Sequence, residues 1–290
     1  FGPVPEGIFF GAPHRTTPDP YFDGKGPDRQ GCTQCGRCFT GCAVGAKNSL
    51  DKNYLHFAER AGVTVLPERK VTHVEPVAGG GYRLHQEHPW DGAITYAPMS
   101  ARKVILAAGA LGTLEVLFAS RDRYRTLPNV SRALGERVRT NSEALVGILA
   151  KDENVDLTHG ASISTHFYAD EHTHLTQNRL PPAYSMMKAY MVPMVDDAQP
   201  QRRALRTLWR YVKQPIESTR VYLARNWHKR TTYLTVMQHA DNELRFSYGR
   251  TRLRGFRHGL QSNLGKGGRT PSFLPQANVA ARAFAAVSNG

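Results

Sequence analysis

Cys32-x2-Cys35-x2-Cys38-x3-Cys42 places all four cysteines of this 290-residue chain within a single short run. Thiolates are soft ligands, and this spacing is that of a bacterial ferredoxin run, so an iron–sulfur cluster is the first chemistry to consider. Two details depart from the ferredoxin pattern. Ala43 stands where a proline commonly follows, and no second run supplies another cluster. Zinc is a second reading, although zinc sites usually pair two CxxC units across a longer loop. Two disulfides, or free thiols, are the third. Spacing alone leaves these open. The histidines are less informative: His14, His56, His73, His159, His166, His172, His174 and His239 follow no zinc spacing. Asp170-Glu171-His172-Thr173-His174 reads as a polar turn between strands.

The elements that must carry these groups are legible in part. Residues 1–31 are rich in Gly and Pro and read as a loop feeding the cysteines. Asn48 or Ser49 is placed to cap a helix with Tyr54, Leu55 and Ala58 on its apolar face and Gly62 as its stop. Strands are expected at 63–66 and 71–77, then at 82–88 and 94–99, with Gly79-Gly80-Gly81 as a turn. No helix follows those glycines, so they are not a phosphate loop. Residues 103–112, Lys-Val-Ile-Leu-Ala-Ala-Gly-Ala-Leu-Gly, read as a strand buried on both faces of a parallel sheet, running into a glycine turn. A helix beginning near Thr113 would turn Leu114, Leu117 and Phe118 inward. Strand, glycine turn and helix leave free backbone N–H groups where a phosphate-bearing cofactor can approach. Beyond Leu134, strands are expected at 144–150, 161–167, 184–194 and 233–238, with a helix over 203–212. The pattern is α/β, α+β overall, with a second region on a mixed or antiparallel sheet.

The net charge is +14, and residues 201–257 hold 14 Lys and Arg against three acids. Trp209, Tyr211, Tyr222 and Trp227 interleave with these basic residues. Such a stretch suits an anionic membrane surface in peripheral contact, or a nucleic acid, or a solvated face. A metal-stabilised, basic nucleic-acid-binding module is therefore the alternative to an enzyme. No apolar run approaches the length of a membrane span. Phe1 is not Met, and both ends read as cuts within a longer protein.

Three segments in order carry a resemblance: Cys38-Phe-Thr-Gly-Cys-Ala-Val-Gly-Ala-Lys-Asn-Ser-Leu-Asp-Lys-Asn-Tyr-Leu55, Val104-Ile-Leu-Ala-Ala-Gly-Ala-Leu-Gly-Thr-Leu-Glu-Val-Leu117 and Leu134-Gly-Glu-Arg-Val-Arg-Thr-Asn141. The chain resembles the glucose–methanol–choline (GMC) oxidoreductases, within them the bacterial cholesterol-oxidase-like branch. The resemblance implies FAD in a Rossmann-like domain, here partial and covering 1–140 with the cysteine loop 32–42. It implies a substrate-binding domain over 141–290. The implied activity is oxidation of the CH–OH group of an alcohol or sterol-like, lipid-like small molecule, by hydride transfer to flavin. An iron–sulfur cluster and an electron acceptor protein would then carry electrons onward.

By the same resemblance, cofactor-binding positions are Val71, Ala108, Gly109, Ala110, Thr113 and Asn141, with Ala107 at the start of the turn. The metal ligands would be Cys32, Cys35, Cys38 and Cys42. The family's GxGxxG lies before this chain and its catalytic His and Asn lie beyond Gly290. A glutamate of the sterol cavity falls near Met186-Met187, where no acid stands, which weakens the case for a sterol as substrate. Met186, Met187, Tyr190, Met191 and Phe167 are the expected cavity walls. A cluster at the cysteines would favour a cytoplasmic location.

Overall fold

The computed structural model describes residues 1–239, 242–250, 255, 257–265 and 271–290. Asp241, Arg252 and Arg254 of the basic stretch lie outside the described residues. In chain order the first strands are β1 (Gly2–Pro3), β2 (Thr16–Thr17), β3 (Arg29–Gln30), β4 (Lys70–Pro76), β5 (Tyr82–Glu87) and β6 (Thr95–Ala101). They are followed by β7 (Val138–Arg139), β8 (Ala144–Leu149), β9 (Ile163–Asp170), β10 (Thr173–Arg179), β11 (Thr231–Gln238), β12 (Glu243–Arg250) and β13 (His258–Leu264). The α-helices are α1 (Tyr54–Arg60), α2 (Gly109–Phe118), α3 (Pro200–Lys213), α4 (Pro215–Leu223), α5 (Trp227–Arg230) and α6 (Pro275–Val287). Two compact units form: residues 1–63, 141–240 and 271–290, and residues 64–140 with 241–270.

The first unit is built on an antiparallel sheet in the order β1-β9-β10-β11-β8. Side chains alternate across a strand, so β11 feeds two cores. Leu234 and Val236 on one face are fully buried with Leu175 of β10 and Ile148 of β8, under Ala277 and Ala281 of α6. Tyr233 on the other face packs with Leu180, Ala224 and Trp227. The expected polar turn is the β9–β10 hairpin connection, where Asp170 Oδ1 accepts from the His172 N–H at 3.0 Å.

The second unit holds an antiparallel meander, β4-β5-β6, and a separate sheet, β13-β12-β7. The triple glycine makes the β4–β5 turn, and Gly80 N–H reaches Val77 O at 3.0 Å. Helix α2 is tied to β4 through Ser120, whose Oγ accepts from Val74 N–H at 3.0 Å. Thr126 Oγ1 donates to Val74 O at 2.6 Å. Helix and antiparallel sheet together are the class the sequence implied.

Five local expectations are corrected. Residues 103–107 form no strand, and Ile105 is 90% exposed. An apolar run takes strand geometry only beside paired neighbours, and no described strand runs beside this one. Residues 63–66 are likewise unpaired, with Val63, Val65 and Leu66 exposed. Residues 184–194 are not a strand: Pro182–Tyr190 is a 3-10 helix entered through Pro181, and the Tyr184 N–H returns to Pro181 O at 2.9 Å. The first helix is capped by Asn53, whose Oδ1 accepts from Tyr54 N–H at 2.5 Å. Asn48 is taken by the buried Arg29, which donates to its Oδ1 at 2.7 Å and to Lys52 O at 2.7 Å. Helix α2 also begins at Gly109, earlier than Thr113.

Candidate functional sites

The second unit contains a polar cavity of about 940 Å3. Arg69, just before β4, lines it with Lys70 and Val71 of that strand, and Ala108, just before α2, with Gly112 and Glu115 of that helix. Lys70 stands between Glu87 at 3.4 Å and Glu115 at 3.7 Å. The Arg69 guanidinium lies 3.4 Å over the Tyr96 ring, which fixes a cation at this end of β4. Arg123, Arg250 and His258 complete a largely basic wall. Helix α2 starts without a side-chain cap, so the N–H groups of its first turn are free to meet an anion. Gly109 has φ +68°, a conformation that L side chains avoid, and a Cβ there would meet nothing within 4 Å. An uncapped helix start beside fixed cations fits a phosphate-bearing cofactor such as FAD.

Val71 and Ala108 therefore share this cavity, while Gly109, Ala110 and Thr113 belong to the helix that opens on it. Asn141 falls in the other unit, exposed, with its Nδ2 donating to Glu143 Oε2 at 2.5 Å. Near the cavity, the His73 ring stacks between His85 at 4.0 Å and Tyr124 at 3.7 Å. Burial, reinforced by His85, pushes its pKa down to about 4.

The first unit contains an apolar cavity of about 890 Å3 between β8, α3 and the segment after the 3-10 helix. Met187, Tyr190 and Met191 line it as expected. Met186 points away and is exposed, and Phe167 packs into the sheet core. Polar groups on the lining are mostly spoken for. Tyr211 Oη and Tyr222 Oη meet at 2.8 Å, and Asn278 Nδ2 donates to Asp196 Oδ1 at 2.6 Å. Tyr233 differs: its buried Oη has no hydrogen-bond partner among the described residues. Burial pushes its pKa up to about 12, so it is a neutral phenol with an unsatisfied hydroxyl. The sequence reading took Tyr233 only as a strand residue. Alternation with Leu234 could have assigned it to the opposite face, but not to a cavity.

The cysteine run folds as a loop pinned to residues 158–162. Gly36 N–H reaches Gly160 O at 2.9 Å, and Gly160 N–H reaches Gln34 O at 2.8 Å. Cys38 N–H donates to the buried Ser162 Oγ at 3.0 Å, which donates on to Gly36 O at 3.0 Å. All four thiols line one small pocket with Ile8, Val44, Ala46, Arg37 and Lys47, and none is in a disulfide. Burial pushes the Cys32 thiol up, and the neighbouring thiols add to the shift. Among the described residues, no three Cys, His, Asp or Glu side chains are placed to hold one metal ion.

Residues 26–145 match the GMC oxidoreductase family. A cholesterol oxidase of Mycobacterium tuberculosis (strain ATCC 25618 / H37Rv) is 37% identical over 301 residues, covering 99% of this chain and 51% of that protein. A cholesterol oxidase of Acinetobacter baumannii is 35% identical over 291 residues, covering 95% of this chain and 50% of that protein. The chain thus spans about half the length of the curated relatives it matches.

Proposed function

We propose that this chain is part of an FAD-dependent oxidoreductase acting on the CH–OH group of an alcohol or sterol-like donor. The observation that carries the reading is the GMC match over residues 26–145, which includes the uncapped Gly109 helix start. Residues 1–140 would belong to the FAD-binding part and 141–290 to the substrate-binding part. Bound FAD would supply hydride acceptance. Arg69 and the first turn of α2 would hold its phosphates, and Gly109 keeps a side chain away from them. Asn141 keeps its proposed place near the flavin through the resemblance alone.

In the apolar cavity Met187, Met191 and Leu208 would exclude water from a lipid-like donor. The Tyr233 phenol would orient the donor through its polar group. None of these residues is assigned as the base. Electrons would leave to dioxygen, or one at a time through iron held at Cys32, Cys35, Cys38 and Cys42 to an acceptor protein. A hydride brings two electrons, so that exit needs two transfers per turnover.

Helix α3 supports peripheral contact with an anionic bilayer. It turns Leu205, Trp209 and Val212 outward, while Arg202, Arg206, Arg210 and Lys213 line one flank. That outward apolar face favours lipid over nucleic acid. No helix among the described residues is long and apolar enough to cross a membrane.

The test is flavin content and alcohol oxidation by the full-length protein that contains this chain. Stoichiometric FAD and turnover of a sterol or long-chain alcohol are expected, and a flavin-free protein would overturn the reading. Tyr233→Phe should raise KM about fivefold with flavin content unchanged, as loss of one hydrogen bond of about 1 kcal/mol predicts. Gly109→Val should weaken FAD retention.

A further inference from the structure

We propose that the apolar cavity of the first unit takes a lipid alcohol that also carries a carboxylate, and that Arg203 holds that carboxylate. The inference rests on the reading of this cavity as the donor site and narrows the class of donor.

The charge of the cavity is one-sided. Among the described residues that line it there is no Asp or Glu, and Arg203 is the one charged side chain. Helix α3 brings Arg203 to the lining together with Thr207 and Tyr211, because residues four apart share a helix face. Arg203 is half-buried, and its guanidinium lies 6.0 Å from the centre of the Phe273 ring on the same lining.

The acids close in sequence are already committed to other groups. Asp197 Oδ2 pairs with Arg206 at 3.2 Å, and its Oδ1 accepts from the Gln199 N–H at 2.9 Å. Asp196 accepts from Asn278 Nδ2 at 2.6 Å and pairs with Arg282. Arg203 receives only a backbone oxygen: its Nη1 donates to Asp197 O at 2.9 Å. Its Nε and Nη2 make no hydrogen bond among the described residues. That edge of the guanidinium is a fork of two N–H groups whose spacing matches the two oxygens of a carboxylate. A cation partly withdrawn from water with no counter-charge favours an anion over a neutral group of the same shape.

Neighbouring polar groups do not compete for the same ligand atom. Thr207 Oγ1 donates back to Arg203 O at 2.9 Å, and Tyr211 Oη is engaged by Tyr222. Pro200, the first residue of α3, also lines the cavity, and the helix starts without a side-chain cap. The positive end of its dipole therefore adds to the field of Arg203. One cation calls for one negative charge. A phosphate ester with two would leave the second uncompensated against Leu145, Val192 and Leu274. Those apolar residues suit a hydrocarbon body. Tyr233, on β11, and Arg203, on α3, stand on different walls, so a molecule with a polar group at each end has a partner for both.

The test compares matched acids and esters on the full-length protein that contains this chain. The probes are ω-hydroxydodecanoate and its methyl ester, and a sterol bearing a side-chain carboxylate and its methyl ester. Binding is measured by titration calorimetry, and oxidation of the alcohol is followed separately. In at least one pair the acid should bind about tenfold or more tightly than the ester, as one charge-assisted hydrogen bond predicts. A preference in either pair supports the proposal, and the larger of the two gives the hydrocarbon scaffold. Arg203→Gln should bring the ratio of acid to ester close to one. Arg203→Lys should restore part of it, because the charge remains while the fork is lost. Equal binding of acid and ester in both pairs would overturn the proposal. A preference that survives in Arg203→Gln would overturn it too, by assigning the contact to another cation. If Arg203→Gln fails to fold, the ratio in the unaltered protein and in Arg203→Lys decides. An Arg203-dependent preference with no oxidation of any probe would support the contact while sinking the oxidoreductase reading. Oxidation of acids and esters alike, with equal binding, would do the reverse.

Discussion

The two large cavities have nearly the same volume, about 890 and 940 Å3, and opposite linings. One is walled by Met187, Met191, Val192 and Leu208 against a sheet whose core includes the fully buried Leu175, Leu234 and Val236. The other is walled by Arg69, Lys70, Glu115 and Arg250 against a meander whose buried residues include His73 and Gln86. Volume therefore says little about what each can hold. The apolar cavity can exclude water from a lipid-like molecule but has one unpartnered phenol to orient it. The polar cavity has fixed cations and a free helix start beside apolar residues such as Val71, Trp90 and Val116. The proposed division into a substrate site and a cofactor site follows that line.

The comparison is broken most directly by disturbing the sheet behind the apolar cavity. Leu234→Ala removes a fully buried side chain and should cost about 2–5 kcal/mol, read as a lower denaturant midpoint. The same assay on Ile105→Ala, an exposed residue of the second unit, should show a change within about 0.5 kcal/mol. Equal losses would mean that burial does not separate the two.

A smaller effect sharpens the polar side. His73 is held neutral in the fold, with a pKa near 4 against an unfolded value near 6.5. The unfolded chain therefore binds the extra proton first as pH falls. Stability should be complete above about pH 6.5, decline between 6.5 and 4, and level off below, with a contribution on the order of 2 kcal/mol. Urea unfolding at several pH values checks this, and His73→Gln should flatten that slope. A slope unchanged in the variant would assign the pH dependence elsewhere.

The smallest effect concerns the outer rim of the apolar side. Leu205→Glu on the exposed face of α3 should weaken co-sedimentation with phosphatidylglycerol vesicles several-fold and leave thermal stability nearly unchanged. Equal binding to neutral vesicles would show that the flanking arginines play no part.

The fold class and the type of residue on a cavity wall were more legible in the sequence than the local backbone. Met187, Tyr190 and Met191 do line a cavity, although their segment is a 3-10 helix and its sequel and not the expected strand. Residue type survived the error because a wall needs bulk, and not a particular backbone. What failed depended on distant partners. Asn48 looked like a cap until Arg29, far back in the chain, occupied its side chain. Residues 104–106 looked like a buried strand because composition cannot show whether neighbours are there to pair. Tyr233 was missed for the same reason: an unpartnered hydroxyl is a property of its surroundings.

Strand β1 has one consequence for behaviour in concentrated solution. Gly2 and Pro3 pair with His166 and Thr165 of β9 at one edge of the large sheet, and among the described residues no strand lies beside residues 167–170 on that side. Proline has no N–H to donate, and two residues offer too short a template for an incoming strand. At that point the edge is blunted by geometry and not by charge, so salt that screens the chain's surplus of cations should not open Pro3 to pairing with an incoming strand.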